Sequence, residues 1–168
     1  LQRYPIFAFV LCLFMAYCAE EFFGVADITG ALVADRSGWS ITGGDYHSGS
    51  WPEVIDDSTD TFMRPWGSPI MFTITFDKEY EMTGLRITAR TDNASYQNYQ
   101  PNAITIEYSL NGEDYTELGT AASADGSLLK NVPSSYVALY GSQKMKYIRI
   151  TASYGSNMGV GDFNIYAK

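Results

Sequence analysis

Strict alternation of apolar and polar residues is the feature that most constrains how this chain can fold. Residues 71–76 place Phe72, Ile74 and Phe76 at every second position, and residues 82–90 repeat the pattern. Successive side chains of a β-strand point to opposite faces of the sheet, so this spacing predicts strands with one buried face. The three alternating apolar side chains should therefore lie together in a core.

The length and the aromatic content extend this prediction to the whole domain. The 168 residues are enough for one domain with a sizeable core and an appendage, and they include 13 Tyr, 9 Phe and 3 Trp without a long helical pattern. Asn111-Gly112 is a hairpin signal. Residues 121–135 are small and polar, which predicts a surface loop. Many short strands with even turn spacing predict an all-β jelly-roll β-sandwich.

The charge distribution argues against anionic partners. The formal net charge is -8, and the basic residues form no cluster apart from Lys144 and Lys146. Nucleic acids and anionic membrane surfaces are bound largely through clustered basic side chains. Neither is expected as a partner.

The first 18 residues have the pattern of a secretory leader. Arg3 precedes an apolar run from Ile6 to Ala16 that only Cys12 interrupts. The run is shorter than the ~20 apolar residues that span a bilayer, so a retained anchor helix is the weaker interpretation. We expect residues 1–18 to be a signal peptide.

Both cysteines fall within this leader, so residues 19–168 cannot form an internal disulfide. Residues 15–18 resemble a bacterial lipobox, which implies acylation of Cys18, and the following Ala-Glu-Glu resembles the surface-export signal of Bacteroidetes-type lipoproteins. Residues 19–35 would then be a tether, able to add an edge strand. The expected location is the cell surface or outer membrane, held by a lipid anchor; cleavage after Cys18 without acylation would instead release a secreted protein.

Residues 52–62 form a turn dense in short oxygen-bearing side chains, with Asp56, Ser58, Asp60 and Thr61 within a few positions. Two interpretations remain open. The first is an Asx or ST turn that caps a strand. The second is a site for a hard cation such as calcium, which takes several oxygen ligands.

Four segments resemble one known family, the coagulation factor 5/8 type C (discoidin) domains and the related bacterial family 32 carbohydrate-binding modules. Residues 56–63 resemble the DG(D/N)xxTxW loop, residues 76–87 the DLGKxYxITGIRI segment, residues 106–118 the IEYSxDGxxWxxL hairpin and residues 146–151 the RYIRI strand. The resemblance covers residues 36–168. It implies a discoidin-like, galactose-binding-domain-like jelly roll.

The resemblance also implies a structural calcium ion that joins the oxygen-rich turn to the last strand. Its expected ligands are the side chains of Asp56, Thr61 and Asp162 and the backbone oxygens of Glu53, Ser58 and Gly161. In the oxygen-rich turn and the last strand three positions depart from the family pattern, since Asp57 replaces Gly, Met63 replaces Trp and Asp162 replaces Glu.

Sugar rings present flat C–H faces surrounded by hydroxyl groups, so a sugar site needs an aromatic platform beside planar hydrogen-bonding groups. Three end loops and their borders could supply these groups. The candidates are Tyr46, His47, Trp51, Arg64, Trp66, Arg90, Asn93, Tyr96, Tyr99, Tyr154 and Asn157. Trp51 could instead pack beneath the turn, His47 could simply face solvent, and Arg90 could pair with a carboxylate. Trp39 alternates within a strand and is expected in the core.

These observations predict non-catalytic binding of a glycan, galactose-like or another sugar, at a bacterial surface. The alternative is a module for protein interaction or adhesion, with surface proteins as partners. An enzyme is disfavoured because His47 is the single histidine, residues 19–168 lack cysteine and the chain contains no recognisable nucleophile motif.

Overall fold

The computed structural model describes residues 29–91, 101–124, 128–132, 135–154 and 159–168. This part of the chain contains ten strands and one short 3-10 turn, Pro52–Val54. The strands are β1 (Ala31–Leu32), β2 (Ser40–Gly43), β3 (Tyr46–Gly49), β4 (Met63–Pro65), β5 (Ile70–Ala89), β6 (Pro101–Ser109), β7 (Thr116–Ala122), β8 (Leu128–Val132), β9 (Ser135–Tyr154) and β10 (Val160–Ala167). Within these ranges no helix has the length and apolar character of a membrane span. The predicted leader, including Cys18, lies outside the described residues.

Two long strands connect the layers of the sandwich. β5 and β9 each contain 20 residues and pair antiparallel along three stretches that register shifts separate. Residues 70–75 pair with 147–152, residues 80–82 with 143–145, and residues 84–88 with 135–139. The sheet around the first stretch includes β2, β6 and β7. The sheet around the last stretch includes β8 and β10, and β10 in turn pairs with β1 and β4. The prediction of an all-β fold is confirmed.

The core lies between these two layers. Phe72, Ile74 and Phe76 are exposed by 1% or less, as their alternation predicts. The ring of Phe72 meets that of Phe163 from β10 edge to face, with centroids 6.1 Å apart. Trp39 is also buried and lies 4.7 Å from the Phe76 ring, which confirms its expected place in the core.

The described part of residues 121–135 differs from the surface loop that the composition predicts. It contains the strand β8, which pairs antiparallel with β9 through Leu128↔Ala138. Leu128 is buried in the core. Only two residues separate β8 from β9 in sequence, so pairing with this long strand and the burial of Leu128 outweigh the weak local strand preference of the segment.

The end of the predicted tether belongs to the sandwich. β1 pairs with β10 through Ala31↔Ala167 and Leu32↔Tyr166, and Val33 donates a backbone hydrogen bond to Ile165, 3.2 Å away. This segment supplies the edge strand that the sequence allowed.

Candidate ligand-binding site

The oxygen-rich turn is held together by its own side chains. Asp56 accepts a hydrogen bond from the Ser58 backbone N–H at Oδ1 (2.9 Å) and one from the Thr61 hydroxyl at Oδ2 (2.8 Å). Asp60 donates its backbone N–H to Ser58 Oγ at 3.2 Å. These are the bonds of Asx and ST turns. Asp57 has a φ of 66°, a left-handed conformation that Asp tolerates better than most residues and that suits the position where the family has Gly.

Asp162, on β10, is buried between two guanidinium groups. Arg36 Nη1 donates to Asp162 Oδ1 at 2.7 Å, and Arg86 Nη2 donates to Asp162 Oδ2 at 3.1 Å. Arg36 Nη2 also donates to Asp57 Oδ1 at 2.5 Å. We call Arg36, Asp57, Arg86 and Asp162 the buried ionic cluster, after its buried pair Arg36 and Asp162; the Asp57 side chain at its edge is 73% exposed. The cluster joins the oxygen-rich turn to the last strand.

The residues of this region do not fit a calcium ion shared by Asp56 and Asp162. Both carboxylate oxygens of Asp162 are bonded to guanidinium groups, and both oxygens of Asp56 are used within the turn. A calcium ion beside Asp162 would also be repelled by two positive side chains within ~3 Å of that carboxylate.

The other predicted metal ligands have structural surroundings of their own. Glu53 lies in the 3-10 turn and accepts the Ser50 backbone N–H at Oε2, 2.9 Å away. Gly161 is buried at a register shift of β10, where an added Cβ would lie 3.1 Å from the Ala89 carbonyl oxygen. The predicted ligands at these two positions are the backbone oxygens, and their part in a metal site stays a prediction.

Exposed apolar side chains concentrate at one end of the sandwich. Among the described residues four large hydrophobic side chains are exposed, and three of them are Trp66 (71%), Met71 (54%) and Tyr46 (48%). Backbone hydrogen bonds draw these positions together: Trp66 donates to Asp45 (3.0 Å), and Gly44 donates to Met71 (3.3 Å). We call Tyr46, His47, Trp66 and Met71 the aromatic end.

His47 and Trp66 form a parallel stack within the aromatic end. Their ring centroids are 5.4 Å apart and their planes differ by 6°. At this centroid separation the two parallel rings are displaced sideways, so neither ring fully covers the face of the other. His47 is exposed, and its ring nitrogens offer a donor and an acceptor when the imidazole is neutral. The pair therefore provides the flat apolar surface and adjacent polar atoms that a sugar ring requires.

The backbone of Arg64 lies on the strand next to β3, and Arg90 lies beside the oxygen-rich turn. Arg64, on β4, is half-buried, and its backbone pairs with Ser48 on β3. The guanidinium of Arg90 lies 3.5 Å from the centroid of the Phe62 ring, a cation–π contact. A Cβ at Gly159 would approach Arg90 Cδ to 2.5 Å, so glycine leaves the room that this packing needs.

Two predicted ligand-binding aromatics are core residues instead. Trp51 is 6% exposed, packs against Gly43 and Phe72, and donates its indole N–H to the Gly44 carbonyl at 2.8 Å. Tyr154 is 8% exposed, and burial raises the pKa of its hydroxyl. Neither ring can stack on a ligand without repacking the core. This corrects both predictions of ligand contact, and Trp51 packs inward instead.

Four other predicted ligand-binding residues, Asn93, Tyr96, Tyr99 and Asn157, lie outside the described residues. Sequence reasoning also missed Arg36 as a functional partner of the turn. It lies 126 positions from Asp162, and no local pattern marks a pair so distant in sequence.

An antiparallel sandwich with exposed aromatic residues in its end loops is the architecture of a discoidin-like domain. The sequence profile of the F5/8 type C domain matches residues 36–163. The chain therefore belongs to the F5/8 type C domain family. No curated protein matches it in sequence.

Solved structures share the fold at low sequence identity. The F5/8 type C domain of a Bacteroides fragilis protein has a TM-score of 0.67 and 19% identity, over 83% of this chain and 97% of that one. CBM32-3 from a family 31 glycoside hydrolase of Clostridium perfringens gives 0.66 and 17%, over 82% and 95%. The family 32 CBM of C. perfringens NanJ, solved in complex with galactose, gives 0.62 and 15%, over 78% and 95%. These similarities establish the jelly-roll fold.

Proposed function

We propose that this protein is a non-catalytic carbohydrate-binding module that holds a galactose-like or related sugar at its aromatic end. The observation that carries the proposal is the His47–Trp66 stack, in which Trp66 is 71% exposed. Folding normally buries a side chain of this size, and a large exposed apolar surface marks an interaction site. The galactose complex of a family 32 module with the same fold supports the choice of ligand.

Each group of the site has a distinct role in this proposal. The indole face of Trp66 packs against the C–H face of the sugar, while the imidazole of His47 and the guanidinium of Arg64 bind its hydroxyl groups. The platform is open to solvent, so it covers one face of the sugar and leaves the other hydrated. Affinity for a single sugar is therefore weak, on the order of millimolar, or about -4.1 kcal/mol.

The binding experiment uses affinity gels or glycan arrays with the full chain and two variants. Trp66→Ala removes the platform, and Leu110→Ala is the matched control because Leu110 is 51% exposed beside the β6–β7 hairpin, at the other end of the sandwich. We expect Trp66→Ala to lose glycan retention by about tenfold or more, the effect of losing ~1.4 kcal/mol. Leu110→Ala should bind as the unsubstituted chain does. Equal retention by all three proteins would contradict the proposal.

The same exposed surface favours one second function, a protein-interaction or adhesion module. Met71 extends the aromatic end with a flexible apolar side chain, and aromatic residues and Met are enriched in protein interfaces. Absence of binding to any glycan, together with capture of a surface protein that Trp66→Ala abolishes, would favour this second function.

A location at the bacterial surface completes the proposal. It is supported by the apolar leader and the lipobox-like residues that end at Cys18. Fatty-acid labelling that is lost in Cys18→Ala would support the lipid anchor, and labelling that persists would contradict it. Structural calcium is not included, because the residues around Asp162 do not fit it.

A further inference from the structure

The Arg36 side chain reaches both elements that the predicted calcium ion would join, the oxygen-rich turn and β10. Its side chain is 3% exposed. Nη2 reaches Asp57 of the oxygen-rich turn, and Nη1 reaches both Asp162 (2.7 Å) and the backbone oxygen of Phe163 (2.5 Å) on β10. The turn and the last strand are thus joined through a single positive group.

The geometry suits a guanidinium better than any other side chain. Its donors diverge in a rigid planar fork, so that two of its nitrogens can serve acceptors on different sides. The backbone of Arg36 is itself fixed, since its carbonyl accepts the Trp39 N–H at 2.9 Å, and its guanidinium lies 6.0 Å from the Trp39 ring centroid. A lysine ammonium is a point charge and cannot reproduce this arrangement.

The charges of the buried ionic cluster are already balanced. The guanidinium groups of Arg36 and Arg86 face the carboxylates of Asp57 and Asp162. The Asp162 side chain is only 2% exposed, so its charge interacts with both arginines with little screening by water. A divalent cation added here would have to displace at least one guanidinium from Asp162.

We infer that Arg36 replaces a bound cation as the link between the oxygen-rich turn and β10, and that this link makes the domain independent of calcium. The inference concerns the stability of the fold and does not depend on the ligand of the aromatic end.

Thermal melting of the full chain tests the inference in calcium chloride and in chelator at equal ionic strength. We expect the same Tm in both, whereas a calcium link at 100-fold saturation would shift Tm by roughly 5 to 10 °C. Arg36→Met should lower Tm by roughly 10 °C or more in both solutions, because it leaves Asp162 buried with only Arg86 as partner. Arg36→Lys should recover only part of that loss.

The matched control is Arg149→Met, which breaks another arginine–carboxylate pair at a half-exposed position and should lower Tm much less. If Arg36→Met does not fold, Asp57→Asn gives a milder test, since the Asp57 side chain is 73% exposed. It should lower Tm by a few degrees in both solutions. A chelator-induced fall in the Tm of the unsubstituted chain that calcium reverses, or a Tm unchanged by Arg36→Met or by Asp57→Asn, would overturn the inference.

Discussion

The buried ionic cluster and the aromatic end use their side chains in opposite ways. In the cluster, Arg36 and Asp162 are almost fully buried and bond to each other. At the aromatic end, Trp66 and Tyr46 leave 71% and 48% of their surface exposed. The polar groups of the cluster bond to one another within the fold, whereas the apolar surface of the aromatic end is available to a ligand. Stability and binding are therefore separable, and substitutions in one region should leave the other property unchanged.

The largest expected effect follows from Asp162→Asn. The substitution keeps the shape of the side chain but leaves two guanidinium groups beside a neutral amide, and breaking a buried pair costs ~3 to 5 kcal/mol. Urea unfolding measures the loss, while glycan retention by the folded fraction should be unchanged. A free energy of unfolding within ~0.5 kcal/mol of that of the unsubstituted chain would show that the buried ionic cluster does not stabilise the fold.

Trp66→Ala should show the opposite behaviour. Because Trp66 is exposed, its removal should change the free energy of unfolding by no more than ~0.5 kcal/mol, whereas glycan retention falls as described above. Unfolding and retention measured on the same preparation check this prediction. A large loss of stability would show that the aromatic end is part of the core.

His47→Ala should have a smaller effect, a loss of binding of about threefold to fivefold. It removes one ring of the stack and its hydrogen-bonding nitrogens, and interactions of this kind contribute roughly 0.5 to 1.5 kcal/mol. His47→Phe separates the two contributions, since it keeps a ring that can stack on Trp66 and removes the polar atoms. If both variants bind as tightly as the unsubstituted chain, the sugar does not touch this ring.

The smallest effect is expected at the outer pair of Arg149 and Glu107, which repeats the chemistry of the buried cluster at a half-exposed position. Two hydrogen bonds from Arg149, 2.7 and 2.5 Å long, lower the pKa of the Glu107 carboxyl. A lowered folded-state pKa contributes stability above the unfolded value of ~4.3, and this is lost as pH falls through the folded pKa.

Urea unfolding between about pH 6 and pH 3 should show this contribution, below ~1 kcal/mol for a partly exposed pair. Glu107→Gln should lack it and have a correspondingly flatter profile. Identical profiles for the two proteins would show that the pair adds nothing to stability.

The parts of the fold that depend on local pattern were predictable from sequence, and those that depend on distant partners were not. Alternation identified the buried faces of β5, and residues two to five apart formed the bonds of the oxygen-rich turn. Trp51 could not be assigned by pattern, since its burial depends on the room that Gly43 leaves beneath it. The link from Arg36 to Asp162 spans almost the whole domain, so only the packed sandwich brings its partners together.

The pairing of β1 with β10 has a mechanical consequence for a protein held from its N-terminal side. Tension applied ahead of residue 29 reaches the sandwich first at β1, which pairs with β10. It next reaches Arg36, which is hydrogen-bonded to Asp162 on β10. β1 is a two-residue edge strand, so few hydrogen bonds hold it to β10, whereas the Arg36 bonds lie behind it as a second point of resistance. With the anchor and the glycan ligand proposed above, the edge strand would yield before the aromatic end changes its shape.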